Sequence, residues 1–334
     1  MAGKPDSKIK LLFLKEILEK YTDENNILNA AEIADMLYEQ YGLECERKSL
    51  YKDIDILIEY GVDIIKARSP KNGYFVGSRS FELAEVRLLS DAVQAANFIT
   101  KSKTKKMLMK IEDLISVQQA NSLRRQVYID SRPKCDNEEI FYNIDTLDIA
   151  IKNGKKVKLL YSHRRFDEKY DTQKESREFI LSPYALIWKD DHYYLVVNKE
   201  NYDNLINLRV DRMSQVEILE ENVRHISEVS DYKNYFDPAD YSAKRFNMFS
   251  GKAETVELKC SNEILEQMLD KFGENCNMRR SDNDCFLLRT EAGVNDGLVS
   301  WIMQYGDKIM VIAPAKLRED VKKKAMQISA LYES

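Results

Sequence analysis

The run Phe179–Met213, FILSPYALIWKDDHYYLVVNKENYDNLINLRVDRM, limits what this chain can become more than any other stretch. Ala185–Trp188 and Tyr193–Asn198 concentrate β-branched, aromatic and aliphatic residues on either side of polar Lys189-Asp190-Asp191, which predicts two strands and a turn. After polar Lys199–Asn204, apolar Ile206, Leu208 and Val210 alternate with Asn207, Arg209 and Asp211, so Leu205–Met213 reads as a third strand. The meander ends on Arg209-Val210-Asp211-Arg212. Two guanidiniums on an aromatic-rich sheet suit an anion, above all phosphate, whose oxygens match the arginine fork. Strict alternation directs Arg209 and Arg212 to opposite faces. Either a bulge realigns them, or one reaches the site and the other pairs with Asp211 or Glu217.

Tyr193-Tyr194-Leu195, Arg209-Val210-Asp211-Arg212-Met213 and the preceding Ser182-Pro183-Tyr184-Ala185-Leu186 stand in an order and spacing that resembles the WYL domain. The family is named for a Trp-Tyr-Leu triplet, and Tyr193 replaces the tryptophan with a ring carrying a hydroxyl. The resemblance implies a small, strongly bent Sm-like or SH3-like β-barrel over residues 140–225, with a groove of aromatic walls and basic ends for stacked bases and phosphates. Asn143–Asn153 predicts a short helix ending at Gly154. Lys156–Tyr161, ended by Ser162-His163-Arg164-Arg165-Phe166, and Glu178–Leu181 bring the expected strands to about five. The candidate effector-binding residues are Tyr161, Ser162, Arg177, His192, Tyr194, Arg209 and Arg212. Each also has a structural reading, as half-buried core tyrosines, an exposed turn histidine or solvated arginines.

Towards the start of the chain, Ile9, Leu12, Phe13, Ile17 and Leu18 recur at helical spacing, predicting a helix over 7–20. Asn29 is an N-cap candidate for Ala30–Tyr41, with Glu32 placed for a capping box and Gly42 past the end. A third helix is expected over Arg47–Tyr60 with buried stripe Leu50, Ile54, Leu57 and Ile58, stopped by Gly61. Ile64–Arg68 and Tyr74–Val76 predict a β-hairpin turning on Asn72-Gly73, where glycine supplies a positive φ. Three helices and a hairpin make a winged helix-turn-helix, the expected fold of residues 1–80. Arg47-Lys48-Ser49-Leu50-Tyr51-Lys52-Asp53 and Gly73-Tyr74 resemble the recognition helix and wing of regulators that commonly precede a WYL domain. The candidate DNA-binding residues are Arg47, Lys48, Ser49, Tyr51, Lys52, Lys66, Arg68 and Lys71. Residues 1–80 hold 12 Lys+Arg against 14 Asp+Glu, a net of −2, whereas 46–76 hold six against five, a net of +1. Positive charge is gathered on the third helix and the wing.

Residues 81–135 predict a helical connector broken by a polar turn at Thr100–Lys106. Residues 226–252 read as a linker. From 253 to 334 the expected order is βαββαβ, that of a ferredoxin-like sandwich, and Trp301-Ile302…Gly306…Val311…Pro314…Leu317-Arg318 resembles the extension that follows WYL domains and serves dimerisation. The expected class is therefore α+β and multidomain.

At 334 residues the chain exceeds one ordinary core. Five scattered cysteines without Cys-x-x-Cys and only three histidines disfavour a disulfide framework or a zinc site, so no metal or cofactor is expected. No apolar run approaches the roughly 20 residues of a membrane helix, and the first residues lack a secretory core. A cytoplasmic protein is expected, with no membrane partner. The net charge of −5 excludes a polycation that coats nucleic acid. Phosphate-loop, dinucleotide and zinc-protease motifs are absent, and Ser162 and His163, adjacent on a strand, face apart, so an enzyme is not expected. The resemblance implies a homodimeric bacterial regulator that binds an operator duplex and senses a nucleic-acid fragment or nucleotide. The alternative is an accessory protein that binds single-stranded RNA or DNA through the WYL groove.

Overall fold

The computed structural model describes residues 7–69, 71–126, 134–166, 172–246, 248–249, 251–274 and 276–333. They form two compact units, 1–136 and 137–334.

The first unit begins with α1 (Ser7–Tyr21), α2 (Ala30–Tyr41) and α3 (Arg47–Tyr60), followed by the antiparallel pair β1 (Ile64–Ala67) and β2 (Gly73–Val76). Asn29 accepts the amides of Ala31 and Glu32, and the Glu32 carboxylate takes the Asn29 amide at 2.8 Å, completing the capping box. Gly42 and Gly61 close α2 and α3 in the left-handed conformation that a side chain would strain. Leu14, Ile17, Leu18, Ile33, Leu37, Leu50, Ile54 and Leu57 meet in one core. Ile58 does not join them and is 46% exposed, because the helix turns it one position past the buried stripe.

Gly73 serves the hairpin differently from the expected turn. Its φ is not positive. It lies within β2, where any Cβ would collide with the Leu28 carbonyl. The Leu28 and Tyr74 backbones exchange hydrogen bonds of 3.1 and 2.8 Å, so the segment before α2 adds a third, one-residue rung to the hairpin.

Among the described residues of the unit, three helices follow: α4 (Leu83–Ala95), α5 (Lys101–Glu112) and α6 (Val117–Gln126). The break expected at Thr100–Lys106 falls earlier. Thr100 caps α5, accepting the Lys103 amide, and the lysines form its first two turns. Buried Asp23, in the α1–α2 turn, accepts from Ser116 Oγ just before α6.

In the second unit α7 (Ile140–Lys152) precedes a five-stranded sheet of β3 (Lys155–Phe166), β4 (Thr172–Lys189), β5 (His192–Lys199), β6 (Leu205–Arg209) and β7 (Met213–Asn222), ordered β6-β5-β4-β3-β7. Five strands were expected, but differently drawn. Glu178–Leu181 and Ala185–Trp188 are one strand, bent by a bulge between Pro183 and Ala185. The third meander strand stops at Arg209, a 3-10 turn takes Val210–Arg212, and β7 follows. The barrel is not closed, since β6 and β7 are opposite edges that do not pair. A single three-residue turn nevertheless joins these edges, so the sheet is strongly bent. The β4–β5 hairpin turns on Asp190 and Asp191, both at positive φ as a two-residue connection requires.

The stretch read as a linker is packed structure. It holds α8 (Ile226–Val229) and α9 (Pro238–Ala243), the latter capped by Asp237 with proline in its first turn. Ile226, Val229, Tyr241 and Met248 bury Ala185, Ile187, Val196 and Leu205 on one face of the sheet. Phe246 points the other way, 5.0 Å from the Trp301 ring in the next core. That core belongs to β8 (Ala253–Ser261), α10 (Leu265–Phe272), β9 (Asn277–Arg280), β10 (Cys285–Gly293), α11 (Asp296–Met303), β11 (Ile309–Ala313) and α12 (Ala315–Leu331). Its element order is the expected βαββαβ, with a final helix, and its strands run β11-β8-β10-β9.

Candidate functional site

The register of β5 and β6 places Tyr194 opposite Arg209, so these side chains share a face. His192, two residues before Tyr194, lies on that face with ring centroids 6.3 Å apart. Arg209 grips Asp211 with both arms of its fork, Nε to Oδ1 at 3.0 Å and a terminal nitrogen to Oδ2 at 2.7 Å. Burial works against the Arg209 charge, but the hydrogen bonds and charge of Asp211 outweigh it and hold its pKa above the ordinary value. The same partial burial pushes the Tyr194 hydroxyl up, leaving it a neutral donor. His192 Nδ1 is 2.7 Å from the Asp190 carbonyl.

Tyr161 reaches this corner from the opposite side of the bent sheet. Its ring is buried and its hydroxyl accepts the Arg209 amide at 3.2 Å, although β4 and β5 separate their strands. Arg212 is exposed beside Tyr194 and makes no hydrogen bond or ion pair among the described residues. The 3-10 turn, rather than a bulge, therefore decides the question of the two arginines: Arg209 is held and Arg212 is free. Two candidates lie apart. Ser162 is buried on the face of β3 opposite Tyr161 and shares a 2.8 Å hydrogen bond with Ser176, while Arg177 extends into solvent and pairs with Glu175 at 2.8 Å.

In the first unit, Arg47, Lys48 and Lys52 are exposed along the start of α3, and Tyr51, 44% exposed, stands 6.4 Å from the Tyr74 ring of β2. Lys66 lies over the same Tyr74 ring at 5.9 Å, and Arg68 is exposed. Ser49 and Lys71 are engaged internally: Lys10 Nζ donates to Ser49 at 2.7 Å while pairing with Asp53 at 2.5 Å, and Lys71 binds the Glu32 carboxylate of the capping box.

The WYL domain model matches residues 142–218, and the WCX domain model matches residues 252–329. The chain carries a WYL domain followed by a WCX domain. The WYL match encloses all seven candidate effector residues and the Arg209–Asp211 pair. No curated protein matches the chain. Among solved structures it is similar to proteasome accessory factor B/C (PafBC) of Arthrobacter aurescens, at 16% identity and a TM-score of 0.28 over 100% of this chain and 51% of that one. The chain thus spans about half the length of that protein. It is also similar to a CRISPR Cas-related protein, at 15% identity and a TM-score of 0.38 over 96% of this chain and 86% of that one.

Between the WYL and WCX matches lies the aromatic-rich segment 223–250, outside both domain models. Tyr232, Tyr235, Phe236, Tyr241, Phe246 and Phe249 crowd it, an aromatic density at odds with a free linker.

Proposed function

We propose that this WYL-domain protein is a ligand-responsive, DNA-binding transcriptional regulator. Residues 1–80 act as a winged helix-turn-helix, with α3 entering the major groove and β1–β2 as the wing. The WYL sheet, an open Sm-like barrel, takes a nucleic-acid or nucleotide-type effector at the Arg209, Tyr194 and His192 corner, with Arg212 as a free cation for a phosphate. The WCX domain pairs two copies, so that two recognition helices span a pseudo-palindromic operator, and the effector shifts the dimer by binding one spacing better than the other. The observation that carries the reading is the exposed cationic start of α3 beside a hairpin in the same chain as a WYL domain. No catalytic step is assigned to any residue.

A second reading, an accessory protein binding single strands through the WYL groove, is favoured by the net charge of −2 over residues 1–80 and by the internal engagement of Ser49 and Lys71. Fluorescence anisotropy with the upstream duplex, a random duplex and single-stranded DNA and RNA, at several salt concentrations, separates the two. The regulator binds the upstream duplex over the random one with a steep salt dependence; binding to single strands alone establishes the second reading instead.

A further inference from the structure

Shortly before α7, the Lys134 side chain supplies what α4 lacks. That helix ends without a left-handed cap, since Ala96 is extended, and it carries no basic residue in its last turn. Its final carbonyls are met instead by the Lys134 ammonium, which donates to Gln94 at 2.6 Å, Ala96 at 2.8 Å and Val93 at 3.4 Å. A cation among the last carbonyls also answers the negative end of the helix dipole. The next amide, that of Cys135, bonds the Asn97 carbonyl at 2.9 Å. These contacts all lie within the first unit.

Asn137 opens the second unit. Its side-chain amide donates to the carbonyls of Met213, at 2.8 Å, and Asp211, at 3.2 Å, while its Oδ1 takes the Glu139 amide at 3.0 Å. Buried Asn143 of α7 adds a second donor to the Met213 carbonyl, at 3.0 Å. The 3-10 turn Val210–Arg212 is a single ring closed by the Met213 amide on the Val210 carbonyl. The carbonyls it turns outward need partners from elsewhere, and the two asparagines provide them. Asp211, which clamps Arg209 through its carboxylate, is thus held by Asn137 through its carbonyl. An anion that takes Arg209 from Asp211, or draws Arg212 towards itself, pulls on the backbone that Asn137 holds.

We propose that Asn137 is a positioning residue for the Arg209–Arg212 corner and that, with Lys134, it carries a change at that corner to the end of α4, given the role in effector binding proposed above for the corner. Lys134 and Asn137 are three residues apart, at most about 11 Å of chain, so the backbone between them has little slack. When the turn releases Asn137, the freedom gained by that backbone favours release of Lys134, and the last turn of α4 loses its cap and frays. The coupling is reciprocal: what loosens the end of α4 also loosens the turn.

Amide hydrogen exchange on the full chain tests this without effector or duplex. Arg209→Ala frees Asp211 and loosens the turn, and it speeds exchange at residues 93–97 at least about twofold while the α1–α3 core is unchanged. In Asn137→Ala the end of α4 already exchanges faster, and adding Arg209→Ala changes it no further. Lys134→Met, which keeps an apolar stem and loses the ammonium, gives the same loss at α4 and speeds exchange at residues 211–213, so the test survives should Asn137→Ala fail to fold. An α4 end indifferent to Arg209→Ala, or responding equally with and without Asn137, overturns the coupling. Faster exchange throughout the first unit overturns it too, by reducing it to general destabilisation, and unchanged exchange of the turn in Asn137→Ala removes the positioning role. The anisotropy titration decides the regulator reading by itself, so the two fail separately.

Discussion

Single side chains in this protein take their roles from their partners more than from their charge. Arg209 and Arg212 are three residues apart, yet one is clamped by Asp211 and the other is free. Arg209→Ala removes an aromatic-cation corner and leaves Asp211 without its partner; under the proposed function it should abolish effector response while duplex affinity stays within about twofold, because no α3 contact changes. Retained response in a titration of duplex binding against effector would sink the assigned corner. Lys71 illustrates the opposite case, a predicted DNA contact drawn into structure. Its ammonium, aided by the Asn29 amide, holds the Glu32 carboxyl below its ordinary pKa. A depressed folded pKa means the contribution is complete above the ordinary carboxylate value and is lost as the pH falls through the folded one. Lys71→Ala should therefore lower the urea midpoint at pH 7, with the gap from the parent protein closing towards pH 3. The pair is exposed enough that the difference stays below about 1 kcal/mol.

Among elements, α2 and α3 were legible to the residue because each carries its own stop signs. Asn29, Glu32, Gly42 and Gly61 satisfy backbone groups that would otherwise be stranded, and those interactions are local in sequence. The strands were less legible. A bulge let two expected strands run together, and the 3-10 turn at Val210–Arg212 hid the start of β7, because neither feature has a periodic signature. The α8–α9 segment was misread for a related reason: its apolar residues alternate between two cores instead of marking one face. At this scale the proposed recognition surface makes its own prediction. Lys48→Ala with Lys52→Ala, both exposed on α3, leaves the fold intact and lowers operator affinity, reducing the slope of log affinity against log salt by about 2 if each lysine meets one phosphate. An unchanged slope, measured by anisotropy, would remove α3 from the interface.

For the molecule as a whole, the two compact units predict two unfolding transitions in calorimetry. Gly73→Ala sharpens the test, since the added methyl meets the Leu28 carbonyl and forces the hairpin from the segment before α2. It should destabilise by about 1–3 kcal/mol and lower one transition only; a shift of both would mean that the chain unfolds as one body. Among the described residues no helix is long and apolar enough to cross a membrane. By itself the sequence determined what depends on near neighbours: helix limits and caps, the meander, the βαββαβ order of the WCX region, and which residues belong to the WYL motif. The tertiary structure alone decided which of those residues meet. Whether Tyr161 reaches Arg209 across two intervening strands depends on how far the sheet bends, and whether Lys71 is drawn from solvent depends on where α2 sets the Glu32 carboxylate. Both are properties of contacts between residues distant in the chain, and periodicity carries no record of them.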